Sequence, residues 1–181
     1  MSHNKIIFTG PVGAGKTTAI SAISDEIPVT TEALASDFIK LKKAETTVAL
    51  DYGMIRANGG EKIHLYGTPG QQRFDFMWDI LTHGGIGLIL LLDNTRPDPF
   101  IDMKFFLNTF NSFIKKTKVT IGVTQTDLSQ TPTIECYREQ LKKLGANFPV
   151  FSIDARKKND VSMLVQSLLY SLEPVFEENY K

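Results

Sequence analysis

The sequence has one cysteine, one tryptophan and no net charge, since 20 basic residues balance 20 acidic ones. A single thiol, Cys136, rules out an intramolecular disulfide and suits a reducing compartment, so the cytoplasm is the expected setting. The balanced charge removes any sequence-wide argument for a nucleic-acid partner. Long hydrophobic runs are missing too: the longest, 86–92 with Gly87 inside it, falls far short of the ~20 residues of a membrane helix. That run reads as a buried strand. The first residues lack a signal-peptide core, Ser2 stands where N-myristoylation needs glycine, and the end lacks a prenylation cysteine, so no membrane anchor is expected. With 13 Gly and 8 Pro, usage is too ordinary for a collagenous or low-complexity chain. What remains is one globular domain over residues 1–181, 42% apolar and 22% charged.

Short β-rich runs alternate with helical patterns. Strands are expected at 5–9, 62–66, 87–93, 118–124 and 149–153, and helices from 16, then at 71–81, 101–114, 132–144 and 161–172. This βαβ series predicts an α/β fold, a mostly parallel sheet of six strands with helices on both faces. The sixth strand, 47–57, joins 62–66 through Asn58-Gly59-Gly60, a hairpin signal that places one antiparallel strand at the sheet edge. Thr131-Pro132 reads as a helix start, Gly145 as a helix stop, and Asn159 or Asp160 as the cap of the last helix. Residues 25–45 show no convincing strand and read as a functional loop, locally basic at Lys40, Lys42 and Lys43. Phe74, Met77, Trp78 and Leu81 recur at helical spacing and should pack inward, leaving Phe76 off the stripe as a candidate partner contact.

The sharpest local signal is Gly10-Pro11-Val12-Gly13-Ala14-Gly15-Lys16-Thr17, which fits G-x-x-x-x-G-K-[ST] at every fixed position. An apolar strand precedes it and a helix-competent stretch follows. In such a loop backbone N–H groups fold around phosphate oxygens and the helix N-terminus adds positive potential. Lys16 reaches the terminal phosphates and the Thr17 hydroxyl can ligate Mg²⁺, with Thr18 completing the nucleotide-binding segment. Nucleoside triphosphate binding follows; the choice between GTP and ATP does not.

Later residues bear on that choice. Thr46-Thr47 opens the second strand, Gly67-Thr68-Pro69-Gly70-Gln71-Gln72-Arg73-Phe74 follows the third, and Thr124-Gln125-Thr126-Asp127 and Ser152-Ile153-Asp154-Ala155-Arg156 close two later strands. In this order, behind a phosphate loop, they resemble the Ras-like small GTPases over nearly the whole chain. The likeness is nearest to the prokaryotic polarity GTPases of the MglA type. It implies a GTP/GDP switch with Mg²⁺ held by Thr17 and Thr47, Gly70 on the γ-phosphate and Gln71 orienting the attacking water, so that Gln71, Lys16 and Thr47 form the catalytic set. It also implies that Thr124, Gln125 and Asp127 read guanine, and that the 154–156 loop, Asp154, Ala155 and Arg156, completes the base site with the Ala155 N–H on the guanine O6. Loss of the γ-phosphate would release the segments 25–47 and 67–81, the surfaces implied for an effector and for activating and exchange partners, including a roadblock-type protein.

The chain departs from the family pattern at Gly67, where an aspartate normally holds a Mg²⁺-bound water, and at Thr124 and Gln125 in place of Asn and Lys. Val12 crowds the approach to the γ-phosphate, and Thr46 stands where some relatives carry an arginine, so hydrolysis is expected to be slow. Two rival readings stay open. One is a nucleotide-binding scaffold without useful hydrolysis. The other is a P-loop ATPase or kinase in which Asp93, ending an apolar strand, handles Mg²⁺.

Overall fold

A computed structural model describes residues 4–31, 50–57, 60–69 and 75–172. The elements run β1 Asn4–Thr9, α1 Lys16–Ile23, β2 Val29–Thr31, β3 Leu50–Arg56, β4 Lys62–Gly67, α2 Asp75–Thr82 and β5 Gly87–Asp93. They continue as α3 Pro99–Thr109, α4 Asn111–Lys116, β6 Val119–Thr124, α5 Ile134–Lys143, β7 Val150–Ser152 and α6 Lys158–Leu172. The strands form one sheet in the order β2-β3-β4-β1-β5-β6-β7. β1 pairs in parallel with both β4 and β5, and β5, β6 and β7 continue in parallel. β3 alone runs the other way, pairing antiparallel with β2 and β4.

The expected α/β architecture is present, with two differences at the edge. Val29–Thr31 adds a short seventh strand inside the 25–45 stretch that carried no strand signal. Three β-prone residues are too few to register as a pattern alone; here they pair with Leu50–Tyr52. The antiparallel strand is therefore second from the edge. Its first expected residues, 47–49, lie outside the described residues, as do Asn58 and Gly59 of the turn, Lys40, Lys42 and Lys43, and the side chains of Phe76 and Met77.

Alternation in the central strands builds two cores. In β5, Ile89 and Leu91 join Phe8, Ile20, Leu65, Leu164 and Leu168 on the face covered by α1 and α6. Leu88, Leu90 and Leu92 join Trp78, Met103, Phe106, Tyr137 and Leu141 on the face covered by α2 to α5. Trp78 and Leu81 are buried as the helical stripe predicts. The expected 101–114 helix is two helices that break at Phe110, and the first starts earlier because Asp98 caps it, accepting from the Phe100 N–H at 3.0 Å with Pro99 at the first helical position. α5 begins two residues later than expected, with Thr133 rather than Thr131 as N-cap. Gly145, at φ 70°, follows the end of α5 as predicted. Asp160 lies in the first turn of α6, where its carboxylate accepts from the Asp154 N–H at 2.9 Å and ties that helix to the preceding loop.

Candidate nucleotide site

The strand order reverses at β1: the chain leaves it for β2 to β4 on one side and returns to β5 on the other. In open α/β sheets the crevice beyond the strand ends at such a reversal is where ligands bind. The loop of residues 10–15 lies there. Gly10 has φ 140°, and a Cβ on it would fall 2.0 Å from the Leu91 carbonyl oxygen, so only glycine lets the chain leave β1 this close to β5. Gly15 is the N-cap of α1 and makes no side-chain cap, which leaves the helix N-terminus facing the loop.

Lys16 is buried and folds back across the loop, its ammonium donating to the Gly10 carbonyl at 2.8 Å and the Pro11 carbonyl at 2.7 Å. Burial pulls its pKa down to about 8, against the Asp51 carboxylate, which pulls it up. The next residue, Thr17, donates its hydroxyl to Asp51 Oδ2 at 2.6 Å. Val12 is 59% exposed at the rim and Thr18 is exposed on α1.

Two further segments converge on the loop. The Thr124 hydroxyl, at the end of β6, lies 3.1 Å from both the Ala14 and the Leu92 carbonyl oxygens. Gln125, in a left-handed conformation at φ 59°, donates its amide to the Gly13 carbonyl at 3.0 Å. These two residues hold the loop from outside although neither is the usual Asn or Lys. The 154–156 loop abuts it as well, since the Ala155 methyl lies 3.0 Å from the place a Gly15 Cβ would take. Arg156 reaches across to Asp127 Oδ2 at 3.2 Å and clamps Asp154 through Nε at 2.8 Å and Nη2 at 2.9 Å. That clamp holds the Asp154 carboxyl down at about 2 and raises the guanidinium.

The structure thus gathers Gly10, Pro11, Val12, Gly13, Ala14, Gly15, Lys16, Thr17, Thr18, Thr124 and Gln125 into one loop with its braces, and Asp127, Asp154, Ala155 and Arg156 into one cluster beside it. Thr47, Gly70 and Gln71 lie outside the described residues. Two participants escaped the sequence reading: Asp51, which meets Thr17, and Asn94, which forms a hub beneath the loop ending at Asp127. Asn94 donates to the Ser129 carbonyl at 2.6 Å and accepts from the buried Tyr137 hydroxyl at 2.7 Å. Burial, together with Asp93, Asp102 and Asp98, pushes the Tyr137 pKa up, so the hydroxyl keeps the proton it donates. Asp93, the rival metal residue, spends Oδ1 on the Thr95 N–H at 2.8 Å and hydroxyl at 2.6 Å.

A phosphate-shaped loop at the reversal point of a parallel sheet, with a buried lysine and a helix N-terminus behind it, defines a P-loop nucleotide-binding protein. Comparison with known proteins narrows this. Residues 26–178 match the family described as "Conserved hypothetical ATP binding protein", and the chain belongs to it; the match begins beyond the phosphate loop, so the loop is independent testimony. An uncharacterized protein of Methanocaldococcus jannaschii is 29% identical over 133 residues, 74% of this chain and 77% of that protein. The Ras-related protein Rab-27A of Sus scrofa is 24% identical over 91% of this chain and 76% of its own length. The Ras-related protein RabC of Dictyostelium discoideum is 24% identical over 97% and 86%. The chain is accordingly a P-loop protein related to the small GTPases. No helix among the described residues is long and apolar enough to cross a membrane.

Proposed function

We propose that the chain is a cytoplasmic guanine-nucleotide switch that hydrolyses GTP slowly and acts on a partner protein through the segments 25–47 and 67–81. The observation that carries the reading is the convergence on one phosphate loop of two base-side segments, Thr124 to Asp127 and Asp154 to Arg156. Asp127 offers guanine a carboxylate for its N1–H and 2-amino group, a pair of donors that adenine does not present. Arg156 must then yield Asp127 to the base, an exchange made easy because both side chains are more than half exposed.

In the binding step Lys16 trades the Gly10 and Pro11 carbonyls for phosphate oxygens, which replace two neutral acceptors by a charged one. The donor set beside it, the Thr17 hydroxyl and a carboxylate, is the hard-oxygen chemistry that suits Mg²⁺. When bound, Mg²⁺ supplies neutralisation of charge on the terminal phosphates. Gln71 orients the attacking water and Thr47 and Gly70 sense the γ-phosphate; Val12 at the rim slows the step. Placement in the MglA-type branch, regulation by a roadblock-type partner, and activating and exchange partners belong to the same proposal. The balanced charge supports a protein rather than a nucleic-acid partner.

The family description favours a second reading, an adenine nucleotide in the same loop. Competition among GTP, GDP and ATP for the purified protein, with and without Mg²⁺, separates the two. Strong guanine preference is expected. Equal or tighter ATP binding overturns the guanine reading.

A further inference from the structure

We propose that Asn94 is a positioning residue for base recognition: held by Tyr137, it fixes the far end of the turn that presents Asp127, so that guanine preference depends on a side chain buried beneath the base site. The inference rests on the guanine reading above and names what holds its carboxylate in place.

Asp127 stands in a turn, 125–129, closed by the Leu128 and Ser129 N–H groups, which both donate to the Gln125 carbonyl at 3.1 Å. The start of the turn is tied to the phosphate loop, since Gln125 donates to the Gly13 carbonyl at 3.0 Å. Its end is tied by Asn94, whose Nδ2 donates to the Ser129 carbonyl at 2.6 Å. Between these anchors the Thr126 hydroxyl meets that of Ser152 at 2.7 Å, and the Asp127 side chain is 59% exposed. A carboxylate on an exposed turn recognises a base strongly only where the backbone beneath it is already set, because otherwise binding must order the turn first. Asn94 follows the apolar run of β5 and is itself buried. A buried amide is costly unless both its ends are paired. Here both are, with Oδ1 accepting from the Tyr137 hydroxyl at 2.7 Å and Nδ2 giving to Ser129. A hydroxyl that donates to Oδ1 decides which way round the amide sits, and so turns Nδ2 toward the turn. Tyr137 is in turn wholly buried in the first turn of α5, with the Phe100 ring edge-on at 5.1 Å between centroids. The end of β5, the base-side turn and α5 thus meet at one amide.

The test separates positioning from packing by comparing ligands. Affinities for GDP, ADP and inorganic pyrophosphate are measured on the full chain for the wild type, Asn94→Leu, Tyr137→Phe, Asp127→Asn, and Asn94→Leu combined with Asp127→Asn, each with its melting transition recorded. In Asn94→Leu, GDP affinity should fall about 5- to 10-fold, less than on losing the Asp127 carboxylate itself, while ADP and pyrophosphate bind as in the wild type. Tyr137→Phe frees the amide but keeps its Nδ2, so GDP affinity should fall in the same selective way and by less. On the Asp127→Asn background the Asn94 substitution should cost GDP nothing further, because the two residues act through one carboxylate. Where Asn94→Leu does not fold, Tyr137→Phe decides by the same criteria. Full guanine preference in both single variants, in a wild type that has it, overturns the role of Asn94 alone. So does an equal loss for all three ligands, or a loss that adds in full to that of Asp127→Asn, since either is what plain destabilisation gives. A wild type that does not prefer GDP to ADP overturns this inference together with the guanine reading.

Discussion

The state of Lys16 makes nucleotide affinity a function of pH in a range where the phosphates themselves hardly titrate. In the free protein the ammonium is buried, with carbonyl oxygens as its hydrogen-bond partners, and its pKa falls to about 8. A bound triphosphate favours the charged form and raises that pKa again, so the complex keeps its proton where the free protein has lost it. Binding above pH 8 must therefore take up a proton and weaken as pH rises. At pH 9 roughly one free lysine in eleven is still charged, which raises the apparent Kd about tenfold over its value at pH 7, ~1.4 kcal/mol. Below pH 7 the curve should be flat in this group. Titration with a fluorescent nucleotide between pH 6.5 and pH 9 reads the slope, and calorimetry at about pH 8.5 in two buffers of different ionisation enthalpy counts the proton. Lys16→Arg provides the control, because a guanidinium keeps its charge throughout and its affinity should not bend. A wild-type Kd that stays level from pH 7 to pH 9, parallel to the arginine variant, would refute the reasoning.

Three substitutions check other parts of the structure. Asp127→Asn should weaken guanine nucleotides by about 10- to 100-fold, through loss of a charged acceptor worth roughly 1.5–3 kcal/mol, and leave ATP unaffected; equal GTP affinity removes Asp127 from base recognition. Tyr137→Phe strands the buried Asn94 acceptor and should cost about 1–3 kcal/mol in urea denaturation, with no loss sinking the hub beneath the base-side loop. Thr120 is wholly buried in β6 with no partner for its hydroxyl among the described residues, so Thr120→Val should raise stability by about 1 kcal/mol, and a fall in the urea midpoint would contradict that account.

The phosphate loop and the buried strand β5 could be read from residues because each is a local pattern: a fixed spacing in one case, an apolar run in the other. Asp51 could not, since its meaning depends on register. A two-residue turn at Asn58-Gly59 would set Asp51 opposite Tyr66. The Ala57 N–H instead bonds to the Glu61 carbonyl at 2.8 Å, leaving three residues between, and Asp51 faces Gly67. A glycine at φ 84° in position 60 suits the longer turn. That shift of one residue decides which face of the sheet the carboxylate shares with Thr17. Thr133 and Asp98 show a related difficulty: several polar residues near each helix start can act as caps, and tertiary packing chooses among them.

The lone tryptophan has a use of its own. Its indole N–H rests on the Pro69 carbonyl at 3.3 Å while the ring is wedged among Phe105, Phe106 and Phe110. One end of the chromophore is anchored in the rigid interior and the other touches the chain just after β4, at the start of the segment proposed to respond to the nucleotide. The protein carries an optical reporter of that segment as part of its native sequence, and its emission can be followed during nucleotide exchange without a dye, a tag or a substitution.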